Sequence, residues 1–228
     1  MAPASSLAIG RALALAPRPR GARTDRRARG ALPRGASRRR PPLGAQPHSR
    51  AAGHAPPGAA ASRVALTAED LTPETFAPFG QVVRAEEDGV AFGPDDAALD
   101  LSQGTPRFYI MRLRDKTMSF DRITFHARVT QCLGALGDAP WFMAVARPTM
   151  DVAAYPTRED IRVFRVPPGV FVKMHAGTWH AGPLWDAARG PAHIDFYNLE
   201  LSDTNQVDHN THDYDEAEGL VFDVHVEG

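Results

Sequence analysis

The sequence predicts an all-β domain, an antiparallel sandwich or barrel with one short helix near its start. Three observations carry that prediction. First, RFYIMRL (107–113), DRITFHARVTQCLGAL (121–136), WFMAVARP (141–148), IRVFRVP (161–167), VFVKMH (170–175) and HIDFYNLEL (193–201) are short and rich in aromatic and β-branched residues. Second, Pro, Gly or Asp punctuates the gaps between them. Third, no amphipathic helical pattern separates these segments, so they read as neighbours in an antiparallel array rather than as crossover-linked parallel strands.

The elements follow in order. LTAEDLTPETFAPFG (66–80) carries a helix start: Thr72 can cap, Pro73 suits the first helical position, and the turn closes by Gly80. The six segments above are then strands. Read as one strand, DRITFHARVTQCLG alternates Ile123, Phe125, Ala127, Val129 and Gln131 on one face with Thr124, His126, Arg128 and Thr130 on the other. A bulge would bring His126 and Gln131 to one side. VPPGVFVKMHAGTWHAGPLW reads as a strand, a tight turn at Ala176-Gly177-Thr178, and a second strand. Residues 208–218 are polar and acidic, and LVFDVHV (220–226) is a closing strand.

The formal net charge of −1 is the average of two opposite parts. Up to Arg63 there are thirteen arginines, no lysine and one acid, Asp25, a formal +12. From Val64 onward 13 basic residues face 26 acidic ones, a formal −13. The basic part is rich in Ala, Arg, Pro, Gly and Ser, with too little apolar surface to offset the entropy of ordering. Arg-rich, Ser-containing and nearly acid-free, residues 1–63 read as an organelle transit peptide and linker. A plastid is the first reading and a mitochondrion the alternative. The absence of Lys and of interleaved aromatics speaks against a nucleic-acid-binding arm. SLAIGRALALA is too short and too interrupted by Arg to span a membrane. Residues 64–228 then form the folded domain, long enough for a good core.

The one cysteine, Cys132, excludes an intrachain disulfide and a cysteine-based zinc site, and its apolar setting reads as an inert buried thiol. Chemistry concentrates in KMHAGTWHAGPLW (173–185), where His175 and His180 flank a turn and Lys173 shares parity with His175. Such histidines can move protons, hold a metal with help from His126 or His193, or line a barrel mouth. Spacing alone leaves all three open.

Five stretches, in order, resemble the ureidoglycolate lyase (ureidoglycolate hydrolase) family of the cupin superfamily, in a form with a plant or algal look. They are TPETFAPFGQVV; PRFY with Arg107; FHARVTQCLGAL with His126, Thr130 and Gln131; PPGVFVKMHAGTWHAGPLW with Gly169, Val170, His175, Trp179, His180, Pro183 and Leu184; and LELSDTNQVD with Ser202, Asp203 and Asn205. Ala181 departs from the pattern, standing where bacterial members place a second histidine after the Trp.

The resemblance implies an all-β, cupin-like double-stranded β-helix (a jelly-roll barrel) with a short N-terminal helix, and a homodimer. It implies cleavage of ureidoglycolate to glyoxylate and urea, a step of purine and allantoin catabolism, by acid/base catalysis. His175, His180 and Lys173 are then the catalytic candidates. Arg107, His126, Gln131 and Trp179 are the candidates for binding the substrate, with Arg107 on its carboxylate. No cofactor is expected. Metal-binding cupins resemble a His-x-His pattern followed by a carboxylate, where this chain has Arg128 and Gln131, and an Arg beside a dication is repelled. If a divalent metal is present, its ligands are His126, Gln131, His175 and His180. The partner is a small carboxylate substrate, with no nucleic acid and no membrane. Two alternatives are a metal-dependent cupin acting on another small hydroxy or keto acid, and a noncatalytic cupin that binds a small carboxylate.

Overall fold

The computed structural model describes residues 61–227. The transit peptide reading falls, but for its last three residues, outside the described residues. Thirteen strands form: β1 Ser62–Asp70, β2 Gly80–Val83, β3 Pro106–Arg114, β4 Ser119–Phe120, β5 Arg122–Phe125, β6 Gln131–Leu136, β7 Trp141–Ala146, β8 Arg162–Val166, β9 Phe171–Met174, β10 Trp179–Leu184, β11 His193–Leu201, β12 Asn210–Asp213 and β13 Leu220–Val226. Among the described residues three short α-helices, α1 Pro73–Phe76, α2 Thr204–Val207 and α3 Tyr214–Glu218, and one 3-10 turn, Arg158–Asp160, join them. The all-β, cupin-like reading holds.

The strands make two sheets, one in the order β12-β5-β10-β7-β8-β1-β13-β4 and one in the order β2-β9-β6-β11-β3. Only Asp121 separates β4 from β5 in the chain, yet these two lie at or next to opposite ends of the larger sheet. That sheet must therefore curl until its ends meet. The curl explains how Phe120 and Phe222 from one end join Ile123 and Phe125 from the other in a single buried cluster. All pairings are antiparallel except those of β1 with β8 and β13.

β7 shows how sequence makes the two cores. All six residues of WFMAVA are buried, because the strand is covered on both faces. Trp141, Met143 and Val145 turn toward the five-stranded sheet, meeting Leu133, Val172, Met174 and Phe196. Phe142, Ala144 and Ala146 turn the other way, into the cluster with Trp179 and Ala181.

α1 forms as its sequence predicts. Thr72 accepts from the Thr75 amide, Thr75 returns the bond to the Thr72 amide, and Pro73 stands at the helix start. Gly80 follows where β2 runs against β9; a Cβ there would lie 1.9 Å from the Lys173 carbonyl oxygen, so no side chain fits.

Three elements differ from the sequence reading. The long strand 121–136 is two strands in two different sheets, broken at His126–Thr130. The break has a cause: the Ala127 and Arg128 amides leave the ladder and donate to the two carboxylate oxygens of buried Asp208, at 2.9 and 2.8 Å. β1 is an added strand, beginning at Ser62 within the segment read as linker. Its alternation of Val64, Leu66 and Ala68 into the core is blurred by Ala65 between them and by the small Ala68 itself. The acidic stretch 208–218 holds β12 and α3, with Gly219 ending α3 at φ 63°. Tyr214 anchors it, buried and donating its hydroxyl to the Pro156 carbonyl at 2.6 Å.

Candidate active site

The site lies where the two sheets face each other at the broken strand. On the larger sheet, His180 of β10 pairs in register with Thr124 of β5, which pairs with Thr211 of β12. His180 also sits opposite Val145, a core residue on the face turned to the smaller sheet. His126 and His209 lie two residues beyond Thr124 and before Thr211, so alternation keeps them on that face. The His126 ring centroid is 5.1 Å from His180 and 5.7 Å from His209.

On the smaller sheet, β11 presents Asn198 and Glu200 beside Gln131 of β6 and Tyr109 and Arg107 of β3. Glu200 is 1% exposed. One of its oxygens accepts from Gln131 Nε2 at 3.3 Å and Asn198 Nδ2 at 3.1 Å; the other faces Arg107 Nη1 at 3.5 Å. Asn198 Nδ2 also donates to the Tyr109 hydroxyl at 3.0 Å, and the Arg107 guanidinium stacks 3.7 Å above the Tyr109 ring. The two walls are close enough for the Glu200 charge to act on His126.

Tautomers follow from the partners. His126 Nδ1 lies 2.6 Å from the Asp208 carbonyl oxygen and His180 Nδ1 lies 3.1 Å from that of Thr178. A carbonyl only accepts, so in each ring Nδ1 carries the hydrogen and the neutral ring's Nε2 keeps its lone pair. Both rings are held neutral. Burial pushes the His180 pKa down to about 3, reinforced by nearby His126 and His209, against the Thr178 hydrogen bond. His180 is deep among protein atoms yet keeps partial solvent accessibility, so it lines a recess that water reaches. Burial also lowers the His126 pKa, opposed chiefly by its bond to Asp208.

The turn between β9 and β10 ties these parts together. Gly177, at φ 82°, donates its amide to the His126 carbonyl at 2.7 Å and leaves no room for a Cβ, which would lie 2.5 Å from the Thr149 carbonyl oxygen.

The structure separates the residues singled out from the sequence into groups. His126, His180, Gln131 and Arg107 come to the facing walls. Lys173 alternates with core residues Val172 and Met174, so it turns to the outer face of the smaller sheet, beside Cys132. It is 4% exposed, and burial lowers its pKa. His175 goes with it: Nδ1 lies 3.2 Å from the Lys173 amine and Nε2 lies 3.4 Å from the Ala77 carbonyl oxygen. An ammonium only donates, so the lone pair of His175 is engaged by Lys173. Trp179 turns away from the recess, packing edge-on against Phe125 at 4.6 Å. Cys132 is buried, and burial raises its thiol pKa to about 11, as expected of an inert thiol. Of the ligand set His126, Gln131, His175 and His180, only the first and last are in contact, and Gln131 is engaged by Asn198 and Glu200. Among the described residues no group of three or more His, Cys, Asp or Glu is placed to hold a metal ion.

A family model described as ureidoglycolate lyase matches residues 63–220, more than half of the chain. The chain belongs to the ureidoglycolate lyase family. It is therefore a member of an enzyme family that cleaves ureidoglycolate, and both walls of the site lie within the match. A comparison with curated proteins finds no match. Among the described residues no helix is long and apolar enough to cross a membrane.

Sequence reasoning missed Asn198, Glu200, Tyr109, Asp208 and His209 as site residues. For Asn198 and Glu200 a signal existed. In HIDFYNLEL they share parity with Ile194 and Phe196, which makes them polar residues on an apolar face. Nothing in the pattern around His209 marks it.

Proposed function

We propose that this chain cleaves ureidoglycolate to glyoxylate and urea by acid/base catalysis with neutral imidazoles, without a metal. The observation that carries the reading is the pair of bare Nε2 lone pairs on His126 and His180, 5.1 Å apart between ring centroids and facing a buried carboxylate wall. Ureidoglycolate carries a hydroxyl and a urea nitrogen on one carbon. A lone pair of the histidine pair accepts the hydroxyl proton, the C–O bond becomes a carbonyl, and the C–N electron pair leaves on nitrogen. The imidazolium so formed returns its proton to that nitrogen, releasing urea, so no net proton is consumed. Arg107, half exposed at the rim, binds the substrate carboxylate by its guanidinium. His175 and Lys173, on the other side of the sheet, support the β9–β10 turn rather than the proton transfer. This reassigns His126 from binding to catalysis.

The enzyme is a homodimer in this reading. Phe108 and Ile110, 68% and 59% exposed on β3, and Tyr197, stacked on Phe108 at 5.8 Å, form an apolar outer face of the smaller sheet. Such a face is suited to burial against a second copy. The Arg-rich composition of residues 1–63 supports delivery to a plastid.

The test is glyoxylate release from racemic ureidoglycolate by the purified protein, above the spontaneous rate, with and without a chelator. Chelator-insensitive turnover that falls about 100-fold or more in His126→Asn and His180→Asn is expected. Loss of turnover on chelation would overturn the metal-free mechanism, and no turnover in either condition would overturn the reaction itself.

A further inference from the structure

Gln131 holds an unmet demand. It is 7% exposed, and its Nε2 donates to Asn198 Oδ1 at 3.1 Å and to Glu200 at 3.3 Å. Both partners are acceptors at those atoms, so the amide cannot be rotated end for end without setting oxygen against oxygen. The orientation is thus fixed, and the Oε1 left over is buried with no hydrogen-bond partner. Such an atom is uncommon in a folded protein, since a buried acceptor without a donor forfeits its lost hydration.

The surroundings cannot repair it. Both hydrogens of the Asn198 amide are spent, one on the Tyr109 hydroxyl and one on Glu200. Glu200 offers only acceptors when ionised, and the one cation paired with it among the described residues, Arg107, stands 3.5 Å away. Across the gap His126 and His180 present bare nitrogens. The inner surface therefore carries a surplus of acceptors and asks a ligand for hydrogens.

We propose that Gln131 Oε1, backed by Glu200, selects the ureido end of the substrate by accepting hydrogen bonds from its terminal NH2. This rests on the lyase reading and adds to it the group that is recognised. A ureido group brings three N–H hydrogens, and its NH2 is what distinguishes it from an N-acyl group of the same shape. With that end against the smaller sheet, the substrate's reacting carbon points to His126 and His180, and its carboxylate points to the Arg107 rim. Gln131 is then a specificity residue, and Asn198 and Glu200 are positioning residues that hold its amide the right way round.

The experiment uses two inert acids of nearly equal shape, N-carbamoylglycine and N-acetylglycine, which differ by NH2 against CH3. Calorimetric titration of the full chain should show the ureido acid binding about 100-fold tighter, the effect of leaving one buried acceptor unpaired. Gln131→Met, close in shape but without the amide, should bring the two affinities to within a few-fold of each other. Equal affinities in the wild type would overturn the proposal, as would failure of both acids to bind. A preference that survives in Gln131→Met would also overturn it, assigning Oε1 to a buried water. If that variant does not fold, the wild-type pair still decides, extended to urea against acetamide as competitors. Turnover of ureidoglycolate without discrimination between the acids defeats this proposal and leaves the lyase reading. Discrimination without turnover does the reverse.

Discussion

His180 should make the enzyme acid-labile, and the size of the effect follows from its setting. Burial holds its native pKa at about 3, whereas an unfolded histidine titrates near the model value of 6.5. Between those values the unfolded chain binds a proton that the native site refuses, so stability falls as the pH drops through 6.5 and keeps falling toward 3. At pH 7 the contribution is near zero; by pH 5 it reaches about 2 kcal/mol against the native state, at 1.36 kcal/mol for each unit. His126 and His175, also lowered by burial, act in the same direction. The lowered carboxyls of Asp100 and Asp160 enter only at more acid pH, below their ordinary value of 3.8. Urea unfolding at pH 7 and pH 5 should therefore show wild type losing about 2 kcal/mol more than His180→Gln, which has nothing to protonate. The comparison between the two proteins cancels every titration they share. Equal losses would refute the reasoning, and would mean that His180 is hydrated well enough in the native state to take a proton.

Two further outcomes follow from the rim and the outer face. Arg107→Lys keeps the charge but loses the planar fork, so steady-state kinetics should show KM for ureidoglycolate rising about 10-fold or more with kcat little changed; a fall in kcat alone would remove Arg107 from carboxylate binding. If the proposed dimer forms through the outer face, Phe108→Asp should yield a monomer by light scattering, because it sets a charge in the exposed apolar face. A monomeric wild type would refute the proposed dimer, and a dimer unaffected by the substitution would place the contact elsewhere.

Much of the fold was legible because its strands are aromatic and β-branched and its turns are marked by Pro and Gly. β7, β8, β9, β11 and β13 lie where that pattern puts them. β12 was not legible: NTHD has no apolar alternation, and it is a strand only because β5 offers it a ladder from Phe125 back to Arg122. The site was half legible. His180 and His126 stand out as histidines among apolar residues, but which face each occupies depends on strand breaks and pairings that composition does not encode. Lys173 and His175 show the limit. Their shared parity was read correctly, and alternation with Val172 and Met174 turns that shared parity outward.

The break between β5 and β6 is what makes a site out of a sandwich. An unbroken strand through 121–136 would keep His126 and Gln131 in one sheet and on opposite faces, where no ligand could touch both. Asp208 prevents this by drawing off the amides of Ala127 and Arg128, while its own carbonyl fixes the His126 tautomer. The four residues after His126 then cross from one sheet to the other, so His126 ends on the larger wall and Gln131 begins the smaller. Asp208 thus acts on both the shape of the gap and the proton chemistry of one wall without reaching either face itself. Its burial, and the two backbone amides and one imidazole nitrogen that depend on it, explain why an aspartate at the end of the last recognisable motif governs a histidine 82 residues earlier in the chain.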